Sequence, residues 1–449
     1  MKIKPSEGNK TFCMAPFSHT YLSPQSERRM CCASREKATW ATQYIDAQKS
    51  EEDSTYQPTT LEEHWNSPYM MDIRKRIMAG EEIPQCTVCN DKILNIHTYR
   101  DYFNKSLFPH KIDEAFDKTN EDGYTELKPI SYDYRVNNLC NFKCRMCGDQ
   151  LSSQWEAENR IMGHYDGGSE PWASKEFKPV IEKFQKEVAE KELWDAVREN
   201  RIEEIYWVGG EPLMWDVHWD IMKYLVDTKQ SKNVVIRYNT NLSKVKYKKH
   251  NLYDYLPHFK NVNICASIDG VGEVVEYVRH GIKWKDWLKN FKNGLFLNDL
   301  YGNYGMALDL TVTLPGLFSI KEMIDLAIEL NVDTFIKTTF AFDSTIVMSP
   351  LFAPRHIIEP ILDDIIEYAK EKAKTNRNIV KYVECFQDIK SKKTFEEEYE
   401  DWKEGQIRGK ERMAKIDQYR NNEGKIEKIF SQHPPLLEWW NNISRNNLL

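Results

Sequence analysis

Residues 129–150 read PISYDYRVNNLCNFKCRMCGDQ. The opening PISYDYRV has the β-branched and aromatic content of a strand. It runs directly into a loop that holds Cys140, Cys144 and Cys147 in a CxxxCxxC spacing. Loops that leave the C-terminal ends of strands are where barrels and open sheets gather their sites. Three thiolates on such a loop suit three irons of a cubane cluster, leaving the fourth iron open to a substrate. Structural zinc is the competing reading. It takes four protein ligands, commonly in two pairs, and three clustered cysteines fit it poorly.

Downstream, strand-like and helix-like text alternates. LSSQWEAENRIMG reads as a helix, and the charged insert 163–200 contains another, EFKPVIEKFQKEVAEKELWDAVRE. IEEIYWVGGEP is a short strand ending at Gly209 and Gly210, and the helical WDIMKYLVDTKQ follows. NVVIRYNTN, NVNICASIDG, MALDLTVT and DTFIKTTF are strands, with the helix SIKEMIDLAIELNV between the last two. Such alternation predicts a parallel sheet under helical cover. About six strands make an open barrel rather than a closed eight-stranded one. From Ser349 the chain turns helical and carries no ligand cluster.

Upstream, residues 1–105 read as a small irregular unit. TTLEEHWNSPYMMDIRKRIMAGEEIP is helical in period, broken at Pro68 and Pro84, with a modest apolar face. A unit that builds little core often folds around a metal instead. Residues 106–128 are polar and contain Pro109, Asn120 and Gly123, as a linker or a docked excursion would. The expected divisions are 1–105, a linker 106–131, a barrel 132–348 and a mainly helical region 349–449.

Composition narrows the classes. In 449 residues, 41% are hydrophobic and 12% aromatic, which excludes a disordered or fibrous chain. A net charge of −7 argues against a compact basic nucleic-acid binder. No apolar run reaches membrane-spanning length, and MKIKPSEGNKTFC has no apolar signal region, so a cytoplasmic, reducing setting is expected. In that setting the 10 cysteines are not expected to pair as disulfides. Eight fall into groups: Cys13, Cys31 and Cys32, then Cys86 and Cys89, then the triple loop. Gathered thiolates hold soft metal. Cys265 and Cys385 stand apart, the latter in a strand-like KYVECF, and both read as core thiols. His19, His64 and His97 show no paired ligand spacing, and neither a phosphate loop nor a dinucleotide fingerprint occurs.

The loop of Cys140, Cys144 and Cys147 resembles that of the radical S-adenosylmethionine enzymes, with Phe142 at a position usually aromatic there. VGGEP at Val208–Pro212, Asn239–Thr240–Asn241 and Ser267–Ile268–Asp269–Gly270 resemble the ends of the family's second, third and fourth strands, in order across residues 132–345. The resemblance implies a partial (β/α)6 TIM-like barrel. It implies a site-differentiated 4Fe-4S cluster on Cys140, Cys144 and Cys147, whose open iron chelates S-adenosylmethionine. Gly209, Gly210 and Glu211 would meet the methionine amino group; paired glycines allow close approach and a glutamate accepts from an ammonium. Asn239, Asn241, Ser267 and Asp269 would bond ribose or substrate. Against this stand ordinary loop bonding for the asparagines and a plain turn at Asp269–Gly270. Arg279 in EYVRHG would approach the cofactor carboxylate; the plain alternative is a surface helical arginine.

CMAPF at 13–17, the MCC of Met30–Cys32 and IPQCTVC at 83–89 resemble an auxiliary-cluster module of the twitch or SPASM type, which in many relatives follows the barrel but here precedes it. The implied second 4Fe-4S cluster takes Cys13, Cys32, Cys86 and Cys89, with Cys32 chosen over Cys31 because adjacent residues rarely aim at one metal. Zinc would fit the same four by count. The implied activity is reductive cleavage of S-adenosylmethionine to a 5′-deoxyadenosyl radical that abstracts a substrate hydrogen. A flavodoxin or ferredoxin would supply the electron. The substrate reads first as a peptide or protein side chain, and second as a sugar or cyclitol undergoing dehydrogenation or epimerisation. A noncatalytic iron–sulfur scaffold is the reading from another class.

Overall fold

The structure is a computed structural model that describes residues 2–35, 58–90, 98–163, 177–339 and 343–444; His97 and part of the charged insert lie outside them. The chain is mixed α/β with a mostly parallel sheet of eight strands. These are β1 (His19–Leu22), β2 (Arg28–Arg29), β3 (Ser131–Tyr134), β4 (Glu204–Trp207), β5 (Val235–Thr240), β6 (Asn261–Ser267), β7 (Tyr304–Val312) and β8 (Thr334–Thr338). Each of the six strands expected from the sequence forms, β3 to β8. Helices Glu190–Arg198, Asp216–Asp227, Trp284–Tyr301 and Ile320–Glu329 fall between them.

The chain divides into two compact units. The first comprises Met1–Asn138, Glu158–Arg237 and His258–Val262. Within it β1 pairs antiparallel with β2 and parallel with β3, setting His19 opposite Ser131. β3 in turn pairs parallel with β4, setting Ser131 opposite Glu204. The second unit comprises Leu139–Ala157, Tyr238–Pro257 and Asn263–Leu449. Within it β7 and β8 pair parallel from Leu308 opposite Thr334 to Val312 opposite Thr338. β5 and β6 each begin in the first unit and end in the second.

The N-terminal region differs from its expectation in one respect. Its core is not sparse. The helical stretch breaks at Pro68 as expected, giving Leu61–Trp65 and Pro68–Met78, the second opened by the Ser67 side chain. Met70, Ile73 and Ile77 repeat at helical spacing and bury one stripe. They join Phe12, Phe17, Ile83, Phe103 and Phe116 in one apolar core. Within residues 106–128, helix Ile112–Lys118 buries Ala115 and Phe116, and the Trp65 indole N–H donates to the Leu127 carbonyl at 2.6 Å, contacts of the kind a docked excursion makes.

KYVECF is also corrected. Cys385 lies in helix Val380–Ser391, because Tyr382, Phe386 and Ile389 are buried at helical spacing and that period outweighs local β-branched content. The C-terminal region is helical as expected, with Arg355–Ala373, Trp402–Tyr419, Lys425–Phe430 and Pro434–Asn442. Among the described residues no helix is long and apolar enough to cross a membrane.

Candidate functional site

The triple-cysteine loop belongs to the second unit. Its backbone is tied at both ends. The Cys140 N–H donates to Ser153 Oγ at 3.2 Å, and Ser152 Oγ donates to the Phe142 carbonyl at 2.6 Å. At the other end Cys147 N–H bonds the Cys144 carbonyl at 3.0 Å, an acceptor shared with the Trp155 indole N–H at 2.7 Å. Lys143–Cys144 pairs antiparallel with Arg279–His280. Gly281, which follows, has φ +115°, and a Cβ there would sit 2.8 Å from the Phe142 ring. Only glycine allows that backbone to pass so close.

Cys140 and Cys144 are buried and Cys147 half-buried. Donors are aimed at two of the sulfurs. Asn241 Nδ2 lies 3.9 Å from Cys140 Sγ, and the Phe142 N–H 3.5 Å from the same atom. Arg279 Nη1 lies 4.0 Å from Cys144 Sγ. Donors directed at sulfur favour the thiolate over the thiol. Burial pushes the Cys144 thiol up, and Arg279 and then Arg420 oppose it. Burial, aided by Cys144, pushes Cys147 up to about 12. Such thiols hold their protons until a metal takes their place. Three thiols, two of them with N–H groups directed at their sulfurs, fit a soft iron–sulfur group. Among the described residues no three His, Cys, Asp or Glu side chains are gathered tightly enough for one metal ion.

Arg279 is a buried residue just past helix Gly272–Val278, not an exposed helical arginine. It is clamped to Asp269 at 2.6 Å (Nε to Oδ2) and 3.0 Å (Nη2 to Oδ1). Asp269 also accepts from the Thr311 N–H at 2.8 Å. Its carboxylate is thus engaged by protein, and its burial raises its pKa against the pull of Arg279. Asn241 bonds Asn141 Oδ1 at 3.0 Å and receives Ser243 Oγ at 2.6 Å, bracing the start of the cysteine loop.

Asn239 and Ser267 come together on a residue the sequence reading missed. Asp309 Oδ2 accepts from Asn239 Nδ2 at 2.9 Å and from Ser267 Oγ at 3.3 Å. Lys337 Nζ bonds both Asp309 oxygens, at 3.0 and 2.8 Å. Asp309 is buried while Lys337 is half exposed. A lone aspartate inside the apolar run MALDLTVT was the available signal. Cys265 is half-buried on β6.

The glycine segment belongs to the first unit. Gly209 has φ +129°, and a Cβ would lie 3.3 Å from that of Arg135. Glu211 is buried and its Oε1 accepts from the Leu213 N–H at 3.1 Å, capping the turn Pro212–Met214.

The N-terminal cysteines also belong to the first unit. Cys13, Cys31 and Cys86 share its apolar core. Burial raises the Cys13 thiol, with Cys86 and Cys89 next to it adding to the rise. Burial likewise raises Cys31, which feels Cys32, Cys13 and Cys86. Cys32, the expected ligand, adjoins Cys31 and has polar neighbours as well. It is hydrogen-bonded to Tyr99 and faces Arg135 and Asp133. Its neighbours form a polar group in which Arg135 pairs with Asp133 at 2.9 Å, and Arg237 bonds Glu204 at 3.2 Å between the rings of Tyr102 and Tyr206.

No family model matches the chain, and no curated protein matches it. Solved structures resemble it at low identity. Streptococcus suis SuiB bound to S-adenosylmethionine is 15% identical with a TM-score of 0.34, over 63% of this chain and 57% of that one. SuiB bound to its precursor peptide SuiA is 16% identical with a TM-score of 0.33, over 73% and 58%. Native anSMEcpe with bound AdoMet and the Cp18Cys peptide is 14% identical with a TM-score of 0.32, over 52% and 58%. The chain thus spans less than two thirds of the length of each.

Proposed function

We propose that this chain is a radical S-adenosylmethionine enzyme built on a partial (β/α)6 barrel, with Cys140, Cys144 and Cys147 holding a site-differentiated 4Fe-4S cluster. One observation carries the reading: a strand-end loop presents three thiols while Arg279 and Asn241 aim donors at two of the sulfurs. Cys140, Cys144 and Cys147 would hold the cluster, which would supply one-electron chemistry for reductive cleavage of S-adenosylmethionine. The protein's own part is to bind, aim and shield. Arg279, held by Asp269, offsets negative charge at Cys144. Gly209 keeps the β4 end free of side-chain bulk, where Gly210 and Glu211 would meet the methionine end. Asp309 holds Asn239 and Ser267 in fixed orientations for the ribose end or the substrate. Phe142 is buried against Gly281 and shapes the loop.

A second cluster in the N-terminal unit would use Cys13, Cys31, Cys86 and Cys89, a choice supported by Cys13 feeling Cys86 and Cys89 and by Cys31 feeling Cys13 and Cys86. The substrate class is a peptide or protein side chain, which suits an auxiliary-cluster module, and the electron comes from a flavodoxin or ferredoxin. The test is anaerobic reconstitution with iron and sulfide, reduction by dithionite, addition of S-adenosylmethionine and assay of 5′-deoxyadenosine. Steady formation is expected. Its absence from protein with a filled cluster would leave a noncatalytic scaffold.

A further inference from the structure

The middle of the cysteine loop is gripped by the C-terminal region. Arg145, between Cys144 and Cys147, is completely buried. Its Nη2 meets Asp417 Oδ1 at 2.5 Å, and Tyr277 Oη donates to the other Asp417 oxygen at 3.0 Å. The guanidinium lies 3.9 Å from the Tyr277 ring centroid, and its Nε donates to the Tyr277 carbonyl at 2.9 Å. Met413, one turn before Asp417, touches Arg145 Nη1 through its sulfur at 3.1 Å. Just past the helix, Arg420 Nη1 donates to the Lys143 carbonyl at 2.9 Å. Arg420 also lies 4.4 Å over Trp155, whose indole holds the Cys144 carbonyl. Asn422 completes the contact at His280, 3.3 Å away, in the strand paired with Lys143.

Lys143–Cys147 is therefore held by two elements that also bond each other, Tyr277–His280 and the end of helix Trp402–Tyr419. Burying Arg145 without Asp417 would strand an unpaired charge beside the cluster ligands. Helices Trp402–Tyr419 and Lys425–Phe430 bury Trp402, Ile407, Met413, Ile416, Ile426 and Phe430, so Asp417 and Arg420 are carried on packed elements.

We infer that the end of helix Trp402–Tyr419 is a clasp on the cluster loop, with Asp417 and Arg420 as positioning residues that act through Arg145, Lys143 and Trp155. The cluster part of this inference rests on the function proposed above; the clasp itself does not. Full-length Arg420→Gln, Arg420→Lys and Asp417→Asn are compared with wild type in two ways. The first is amide hydrogen exchange of residues 140–150 in metal-free protein. Exchange at least tenfold faster in Arg420→Gln and Asp417→Asn, with recovery toward wild type in Arg420→Lys, is expected. The second is the electron paramagnetic resonance spectrum of the reconstituted, reduced protein with and without S-adenosylmethionine. A changed signal and a weakened response to S-adenosylmethionine are expected in Arg420→Gln at full iron content, again recovered by lysine. Loop exchange equal to wild type in Arg420→Gln, the milder variant, overturns the clasp. A wild type that takes up no cluster overturns the functional reading instead, while the exchange result still decides the clasp.

Discussion

Arg279 reaches the sulfur of Cys144 with one nitrogen while Asp269 clamps the rest of its guanidinium. The pair is buried, so removing one partner strands the other's charge. Arg279→Met is expected to lower the unfolding free energy of metal-free protein by about 3–5 kcal/mol, read from urea transitions. Arg279→Met combined with Asp269→Leu should regain most of the loss, because no lone carboxylate then stays buried. A single variant as stable as wild type would show that the pair is not closed in solution.

Asp309 is the hub for Asn239, Ser267 and Lys337. Its loss frees two side chains proposed to contact the cofactor. A hydrogen bond to a charged group contributes about 1.5–3 kcal/mol. Asp309→Ala should therefore weaken S-adenosylmethionine binding by roughly tenfold or more in cluster-loaded protein, measured by equilibrium dialysis. Asp309→Asn, which keeps one acceptor oxygen, should lie between. Wild-type affinity in Asp309→Ala would separate this hub from the cofactor site.

The legible parts of this chain are those whose signal is local. β3 to β8 announce themselves by apolar runs ending in polar loops, and the triple-cysteine loop by its spacing. The N-terminal core was underestimated because it draws single apolar residues from distant places: Phe12, Ile73, Phe103 and Phe116 meet only in the fold. Asp309 and Lys337 lie on different strands, and neither flanks a motif. Arg145 stands inside the cysteine motif, yet its counter-charge lies far along the chain at Asp417, where nothing in the local text marks it. Spacing could not separate Cys31 from Cys32, because that choice depends on which side of one backbone turn faces the core.

Acid should loosen the first unit through two buried histidines. Burial, then the positive charges of Arg237 and Arg135, lowers His19 to about 3. Burial, then Arg28 and Arg74, lowers His64 to about 3. Each folded-state value lies below the unfolded one near 6.5, so unfolding takes up protons as pH falls. The neutral forms' contribution is whole above about 6.5 and is lost progressively down to about 3. Each histidine should steepen the loss of stability by up to about 1.4 kcal/mol per pH unit in that window. His64→Gln should flatten the dependence of the urea midpoint on pH between 6 and 4. An unchanged slope would mean that His64 titrates normally.

The two adjacent cysteines give the sharpest contrast. Cys31 sits in the core with Cys13 and Cys86, whereas Cys32 bonds Tyr99 and faces Arg135 and Asp133. If the N-terminal thiols hold a second cluster, the residue proposed to serve it is Cys31, which feels Cys13 and Cys86. Cys31→Ser should lose about one cluster's iron and sulfide after anaerobic reconstitution, with the corresponding Mössbauer component missing. Cys32→Ser should keep both clusters. The apolar core around Met70, Ile73 and Phe116 should hold the unit folded in the absence of metal, so far-ultraviolet circular dichroism of Cys86→Ala/Cys89→Ala should match wild type while its iron falls. Loss of iron in Cys32→Ser with retention in Cys31→Ser would reverse the assignment. Full zinc occupancy in anaerobically purified wild type would replace the cluster with a structural ion.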